Sequence, residues 1–188
     1  KSSTTNDNNN PIIDVKNDNT IDILNILLKG IQVKNLNVVD YALNAMSNVL
    51  TVHRNNKNVH AYIVEKGIID ILVNIIMPLY ATHGKKNIIN NSNVICSGIS
   101  ILGSLGSYDN QVAHVIVNKN CIDMILLTLA KQIEQANVQR LGILTLSSLC
   151  NSTNDNEITI ANKSLIVKTI IKAMRKYLTI KQIQQNGC

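Results

Sequence analysis

The stretch Asn137-Val138-Gln139-Arg140-Leu141-Gly142-Ile143-Leu144-Thr145-Leu146-Ser147-Ser148-Leu149 decides the fold, because the chain writes it more than once. Asn93-Val94 followed by Gly98-Ile99-Ser100-Ile101-Leu102-Gly103-Ser104-Leu105 is a second copy. Asn37-Val38 followed by Ala42-Leu43-Asn44-Ala45-Met46-Ser47-Asn48-Val49 is a third. Another phrase recurs in step: Ile21-Asp22-Ile23-Leu24, Ile69-Asp70-Ile71-Leu72 and Ile122-Asp123-Met124-Ile125. Self-similarity at a fixed spacing marks stacked supersecondary units, none of which buries its apolar side alone.

Three helix types rotate along the chain. A short first helix is predicted over 59–66, 112–119 and 158–162. A second is predicted over 20–29, 68–77, 122–133 and 165–178, and a longer third over 38–52, 94–107 and 138–150. In the earliest third helix, Val38, Ala42, Ala45, Met46 and Val49 fall at i, i+4, i+7, i+8 and i+11, one face of a 3.6-residue period. Asn37, Asn93 and Asn137 precede the three copies and read as N-caps, whose side chains accept an orphan backbone N–H. Gly67 supplies the permissive backbone for the turn between a first and a second helix. Third helices begin 56 and 44 residues apart. A unit of about 42–44 residues fits both intervals if residues 78–91 are a loop insertion on one rim. Residues 1–19, rich in Asn, Ser, Thr and Asp, read as a disordered lead.

This order of helices resembles the armadillo repeat. The carriers are the opening of the second helix by Gly-x-Ile and the third-helix pattern N-V-x-x-x-A-x-x-A-M-S-N-V over 37–49. Ile183-Gln184-Gln185-Asn186-Gly187-Cys188 repeats Val138-Gln139-Arg140-Leu141-Gly142-Ile143 at an offset of 45 and resembles the opening of an armadillo third helix. The resemblance implies an all-α, right-handed α-solenoid with three helices per unit. Its units would be a partial repeat over 20–52, whole repeats over about 55–107 and 109–151, and a truncated one over 154–188. Lys1 is not an initiator Met, so the expectation is a piece of a longer array.

In that family the third helices line a concave groove in which partners lie as extended segments. The residues opposite the apolar stripe are then Asp40, Tyr41, Asn44 and Asn48 in the first copy and Ser97, Ser100 and Ser104 in the second. In the third they are Arg140, Leu144 and Ser148. Nuclear-import adaptors of the family carry W-x-x-x-N here. This chain has Asn44, Ser100 and Leu144 at the Trp position, Asn48, Ser104 and Ser148 at the Asn position, and no Trp anywhere, so only Asn48 matches. The groove is nearly uncharged, Asp40 and Arg140 apart.

With no Phe, no Trp and 29 Ile, the interior must be aliphatic. The net charge of +6 is local: residues 158–188 hold six bases and no acid, and the rest is neutral. Lys168, Lys172, Arg175 and Lys176 share one helical face, opposite Ile166, Ile170, Ile171, Met174 and Leu178. That face offers a second reading, an adaptor for phosphate or an anionic-lipid surface. Nucleic acid is disfavoured because no aromatic residue interleaves with the bases for stacking.

Cys96, Cys121, Cys150 and Cys188 form no C-x-x-C pair and lie at ligand spacing from none of the four His residues. They read as free buried thiols of a reducing compartment, hence a cytoplasmic or nuclear protein, with no metal and no cofactor implied. No Gly-rich phosphate loop or nucleophile–base pair with an orienting group stands out, so the expectation is a non-enzyme. The function expected is a protein-interaction scaffold that takes an extended peptide and no small-molecule substrate. Self-association through the last, truncated unit is also expected, because interior repeats need neighbours on both sides.

Overall fold

A computed structural model of the chain describes residues 19–81, 88–153 and 158–188. Among these residues there are ten helices and no strand. In chain order they are α1 (Thr20–Ile31), α2 (Leu36–Val52), α3 (Lys57–Glu65), α4 (Ile68–Ala81) and α5 (Ile88–Tyr108). There follow α6 (Asn110–Asn118), α7 (Cys121–Lys131), α8 (Ala136–Ser152), α9 (Ile160–Lys176) and α10 (Lys181–Gly187).

Packing sorts them into rows. The third helices stack in order, α2 on α5, α5 on α8 and α8 on α10. The second helices form a parallel row, α4 on α7 and α7 on α9, with α1 against α2 and α3. The short α3 and α6 bridge successive units, α3 touching α1 and α4, and α6 touching α5, α7 and α8. The core between the rows is aliphatic, with Leu24, Leu43, Met46, Leu50, Ile63, Leu72, Ile99 and Leu129 all fully buried. Removing each such side chain from water is worth about 1.5–3 kcal/mol, and no unit could collect that without the next.

The seam between α5 and α8 is especially close. A Cβ on Gly103 would stand 2.5 Å from the Thr145 hydroxyl, so only glycine allows this approach. Thr145 Oγ1 donates to the Ile99 carbonyl across the same seam (3.1 Å).

A glutamine clasp repeats with the unit. Gln139 Nε2, on the first turn of α8, donates to the Leu129 and Gln132 carbonyls at the end of α7 (2.9 and 3.0 Å). Gln184 Nε2, on α10, donates to the Met174 and Tyr177 carbonyls at the end of α9, also at 2.9 and 3.0 Å. Donor and acceptors alike are displaced by 45 residues, the offset read from the terminal segment. The clasp satisfies carbonyls that a helix C-terminus leaves without intrahelical partners.

Several expectations are corrected. The N-cap of α2 is Asn35, whose Oδ1 accepts from the N–H groups of Asn37 (3.0 Å) and Val38 (3.5 Å). Asn37 lies inside the helix, as do Asn93 in α5 and Asn137 in α8. The cap sits upstream because the side chain must reach back from outside the first turn. Asn56 and Asp109 cap α3 and α6 in the same way. In α2 the buried stripe is Val39, Ala42, Leu43, Met46 and Leu50, so Val38 is exposed and Ala45 and Val49 are half-buried. Residues 78–81 and 88–91 are helical and not loop. Pro78 has no N–H for the Asn74 carbonyl, yet α4 continues past it to Ala81. Residues 82–87, like the lead over 1–18, lie outside the described residues. No separate first helix forms at 158–162, because Thr159 caps α9 directly by accepting from the Asn162 N–H (3.1 Å). Cys150 and Cys188 are exposed, although all four cysteines are free.

Gly67 adopts φ 77° and Asn120 adopts φ 58°, each just before a second helix. The two are 53 residues apart, the spacing of Asp70 and Asp123. The left-handed turn is therefore part of the unit, filled once by Gly and once by Asn. Nothing lies within 4 Å of a Cβ placed on Gly67, so its substitution costs only backbone strain. Gly67→Ala and Asn120→Ala should each lower stability by about 1 kcal/mol in urea unfolding. An unchanged midpoint for Gly67→Ala would refute the turn assignment.

His60 is buried on α3, stacked on Tyr108 with ring centroids 5.0 Å apart, and its Nε2 has no hydrogen-bond partner. Burial pushes its pKa below the usual value, Asp109 pulls it partly back, and His53 adds to the lowering. The unfolded chain therefore takes up a proton near pH 6.5 that the folded chain refuses. Stability should hold above that pH, fall as pH drops through it, and level off below the folded-state pKa. His60→Leu should flatten this slope when melting is followed from neutral to mildly acidic pH.

Candidate partner groove

Stacking α2, α5 and α8 brings equivalent residues into rows. Offsets of 56 and 44 place Asp40 beside Cys96 and Arg140, and Asn44 beside Ser100 and Leu144. They also place Asn48 beside Ser104 and Ser148, and Thr51 beside Ser107 and Asn151. The Asp40 row is half-buried throughout and the Thr51 row is exposed throughout. Between them Asn44, Asn48 and Leu144 are exposed, while Ser100, Ser104 and Ser148 are half-buried. The result is one accessible face across three helices, polar except at Leu144.

Part of this polarity is spent within the protein. Asn44 Nδ2 donates to Asp40 Oδ1, and Ser97 Oγ donates to Asn44 Oδ1, both at 3.0 Å. Asn44 therefore links α2 to α5. Thr51 Oγ1 and Ser107 Oγ donate to the carbonyls one turn back, Ser47 and Gly103. Among the described residues no hydrogen bond engages the side chains of Asn48, Ser104 and Ser148.

One expected groove residue lies elsewhere. Ser97 is buried in the α2–α5 seam, where its hydroxyl meets Asn44. Tyr41 occupies the equivalent position on α2, on the side that Ser97 turns toward the preceding helix. It is 74% exposed because no described helix precedes α2 in the row. Helical period alone does not separate a groove position from a seam position one residue away.

The electrostatics run along the Asp40 row. Burial raises the Asp40 pKa, and the Asn44 hydrogen bond partly offsets this. Burial pushes the Cys96 thiol up to about 11, with Arg140 lowering it and Asp40 raising it. Cys96 thus sits in the fields of an acid toward α2 and a base toward α8. The Arg140 carbonyl accepts a long hydrogen bond from Asn186 Nδ2 (3.4 Å), which ties α8 to α10.

The basic residues Lys168, Lys172, Arg175 and Lys176 are all exposed on α9. Lys176 Nζ pairs with Glu134, which leaves Lys168, Lys172 and Arg175 as the cationic strip. The side of the helix expected beneath them is only partly covered. Ile166 and Ala173 are buried and Ile170 and Met174 half-buried, but Ile171 and Leu178 are exposed. A feature with no sequence signal is an open apolar hollow of about 560 Å³ between residues 31–36 and α4, where Ile71 and Ile75 form one wall. Lys34 is its only charged lining residue among the described residues. Among the described residues no three His, Cys, Asp or Glu side chains come together as a metal site, and no single helix is long and apolar enough to cross a membrane.

No family model, no curated protein and no solved structure matches this chain.

Cys121 is also held protonated, pushed to about 12 by burial and by Asp70, with Lys119 offsetting part of the effect. Holding both thiols protonated withdraws the thiolate, which is the nucleophile. At pH 7.5 Cys96 and Cys121 should alkylate with iodoacetamide far more slowly in the native protein than in urea, as followed by mass spectrometry. Equal rates in both states would contradict the burial described.

Proposed function

We propose that this chain is an armadillo-type repeat array that binds an extended segment of another protein along α2, α5 and α8. On this reading the array coils as a right-handed superhelix with its third helices on the concave side. What supports it is register: residues at matching positions of three successive third helices form continuous accessible rows. Accessible side chains on three stacked helices, with an amide on Asn48 and hydroxyls on Ser104 and Ser148 unengaged, suit a ligand backbone lying across them.

Size follows from packing. Adjacent helices lie about 8–10 Å apart, so three of them span roughly 20 Å. An extended peptide rising about 3.3 Å per residue crosses that distance in some six residues. Asn48, Ser104 and Ser148 supply hydrogen bonds, Leu144 an apolar contact, and Asp40 and Arg140 one charge of each sign. The best partner segment is largely uncharged, with an acidic residue meeting Arg140. Few anchors and the ordering of a flexible peptide limit affinity to the order of 10 μM or weaker.

The test is a peptide-display selection against the chain, followed by affinity measurement for the selected peptides. Asn48→Ala with Arg140→Glu should weaken binding at least about tenfold, while Lys172→Glu with Arg175→Glu should leave it unchanged. The opposite pattern, together with binding that fades steeply in salt, would replace the groove with a phosphate- or lipid-binding α9 face.

A further inference from the structure

The glutamine clasp closes the α7–α8 and α9–α10 corners and is absent from the α1–α2 corner. Gln139 and Gln184 each donate to two carbonyls at the end of a second helix. The Ile-Asp phrases place α1 at an offset of 101 from α7, and the third-helix rows place α2 at 100 from α8. The carbonyls that correspond to those of Leu129 and Gln132 are therefore those of Leu28 and Ile31, and the residue that corresponds to Gln139 is Val39. Valine offers them no donor and stops short of the place a glutamine amide would fill. The apolar hollow of about 560 Å³ opens at this same corner. Ile31 and Val39 line it, with Val33 and Lys34 of the α1–α2 turn and Ile71 and Ile75 of α4.

One wall of the hollow belongs to the α1–α2 pair and the other to α4, so it is an internal joint of the stack. Ile31 and Val39 are buried and make its floor, while Val33 at the rim is 44% exposed. Lys34 is exposed. Among the described residues no ion pair engages Lys34 and no acid lines the hollow. The volume is that of a ligand site, but small-molecule sites enclose most of their ligand and this one is open. A side chain presented by a larger partner needs no such enclosure, because the partner covers the mouth.

We infer that this hollow docks a segment of a partner protein through one large apolar side chain with an acidic residue next to it, whose carboxylate meets Lys34. Charge complementarity selects the occupant. A lone cation at the rim of an apolar site accepts a charge-assisted hydrogen bond partner of negative sign and repels a basic neighbour. The apolar side chain lies on Ile31 and Val39 between the Val33 rim and the α4 wall, where the clasp glutamine would otherwise reach. The site is separate from the groove: Asn48, Ser104, Arg140 and Ser148 do not line it.

The test is a methyl NMR titration of the chain, labelled at its Ile and Val methyl groups, with acetyl-Phe-Asp-amide up to about 10 mM. The Val33, Val39, Ile71 and Ile75 signals should move together. Acetyl-Phe-Asn-amide and acetyl-Ala-Asp-amide should each bind at least about fivefold more weakly. Lys34→Glu, a change at an exposed turn residue, should weaken binding at least about tenfold. Val39→Gln should build the missing clasp, fill the hollow, abolish the shifts and raise the midpoint of urea unfolding. If that variant unfolds, Lys34→Glu decides alone. Asn48→Ala with Arg140→Glu should leave this binding unchanged, so failure here and failure of the groove are told apart. No shift at about 10 mM, equal binding of the three probes, or undiminished binding by Lys34→Glu or by folded Val39→Gln overturns the proposal. So does tighter binding of 3-phenylpropionate than of the dipeptide, which would make the hollow a small-molecule site.

Discussion

The seam between successive third helices is the constraint on which everything else rests. α2, α5, α8 and α10 stack side by side because each presents apolar or very small residues to the next. At Gly103 and Thr145 the approach is close enough to exclude even a methyl group. This seam sets the register of the rows, so the accessible face above it inherits its order. A slip of one residue would rotate Asn48, Ser104 and Ser148 out of line while burying a different set of side chains.

Around the seam, polar groups act as registration pins. Asn44 with Ser97, and Thr145 with the Ile99 carbonyl, join neighbouring third helices. Gln139 and Gln184 join α8 and α10 to the second helix before each. These bonds are individually worth about 1 kcal/mol, far less than the aliphatic burial beside them. Their value is directional, because dispersion and hydrophobic burial tolerate small rotations that a hydrogen bond does not. Surface ion pairs such as Lys119 with Asp70 add little to this.

The same geometry explains why the apolar surface is not confined to the core. A helix in a stack touches a partner helix of its own unit, the unit before it and the unit after it. Its apolar residues therefore spread over more than one stripe, and at the ends of the row some of them face water. Val38 and Tyr41 on α2 and Val167 and Ile171 on α9 are of this kind.

The sequence by itself determined the helical class and the recurrence of its phrases along the chain. Periodicity, the recurring Ile-Asp phrase and the offset of 45 are local or repetitive signals that need no knowledge of contacts. Only the tertiary structure decided which apolar stripe is core. Val38, Ala42, Ala45, Met46 and Val49 form a valid helical face, yet burial runs through Val39, Leu43, Met46 and Leu50. Two apolar stripes on one helix have the same period, and their difference lies in which neighbour each one meets. Ser97 changed from groove to seam for that reason, as did the cap from Asn37 to Asn35, which depends on where the chain enters the helix. Asn120 was silent in the sequence because its left-handed turn is written by Gly in the preceding unit and by Asn in its own.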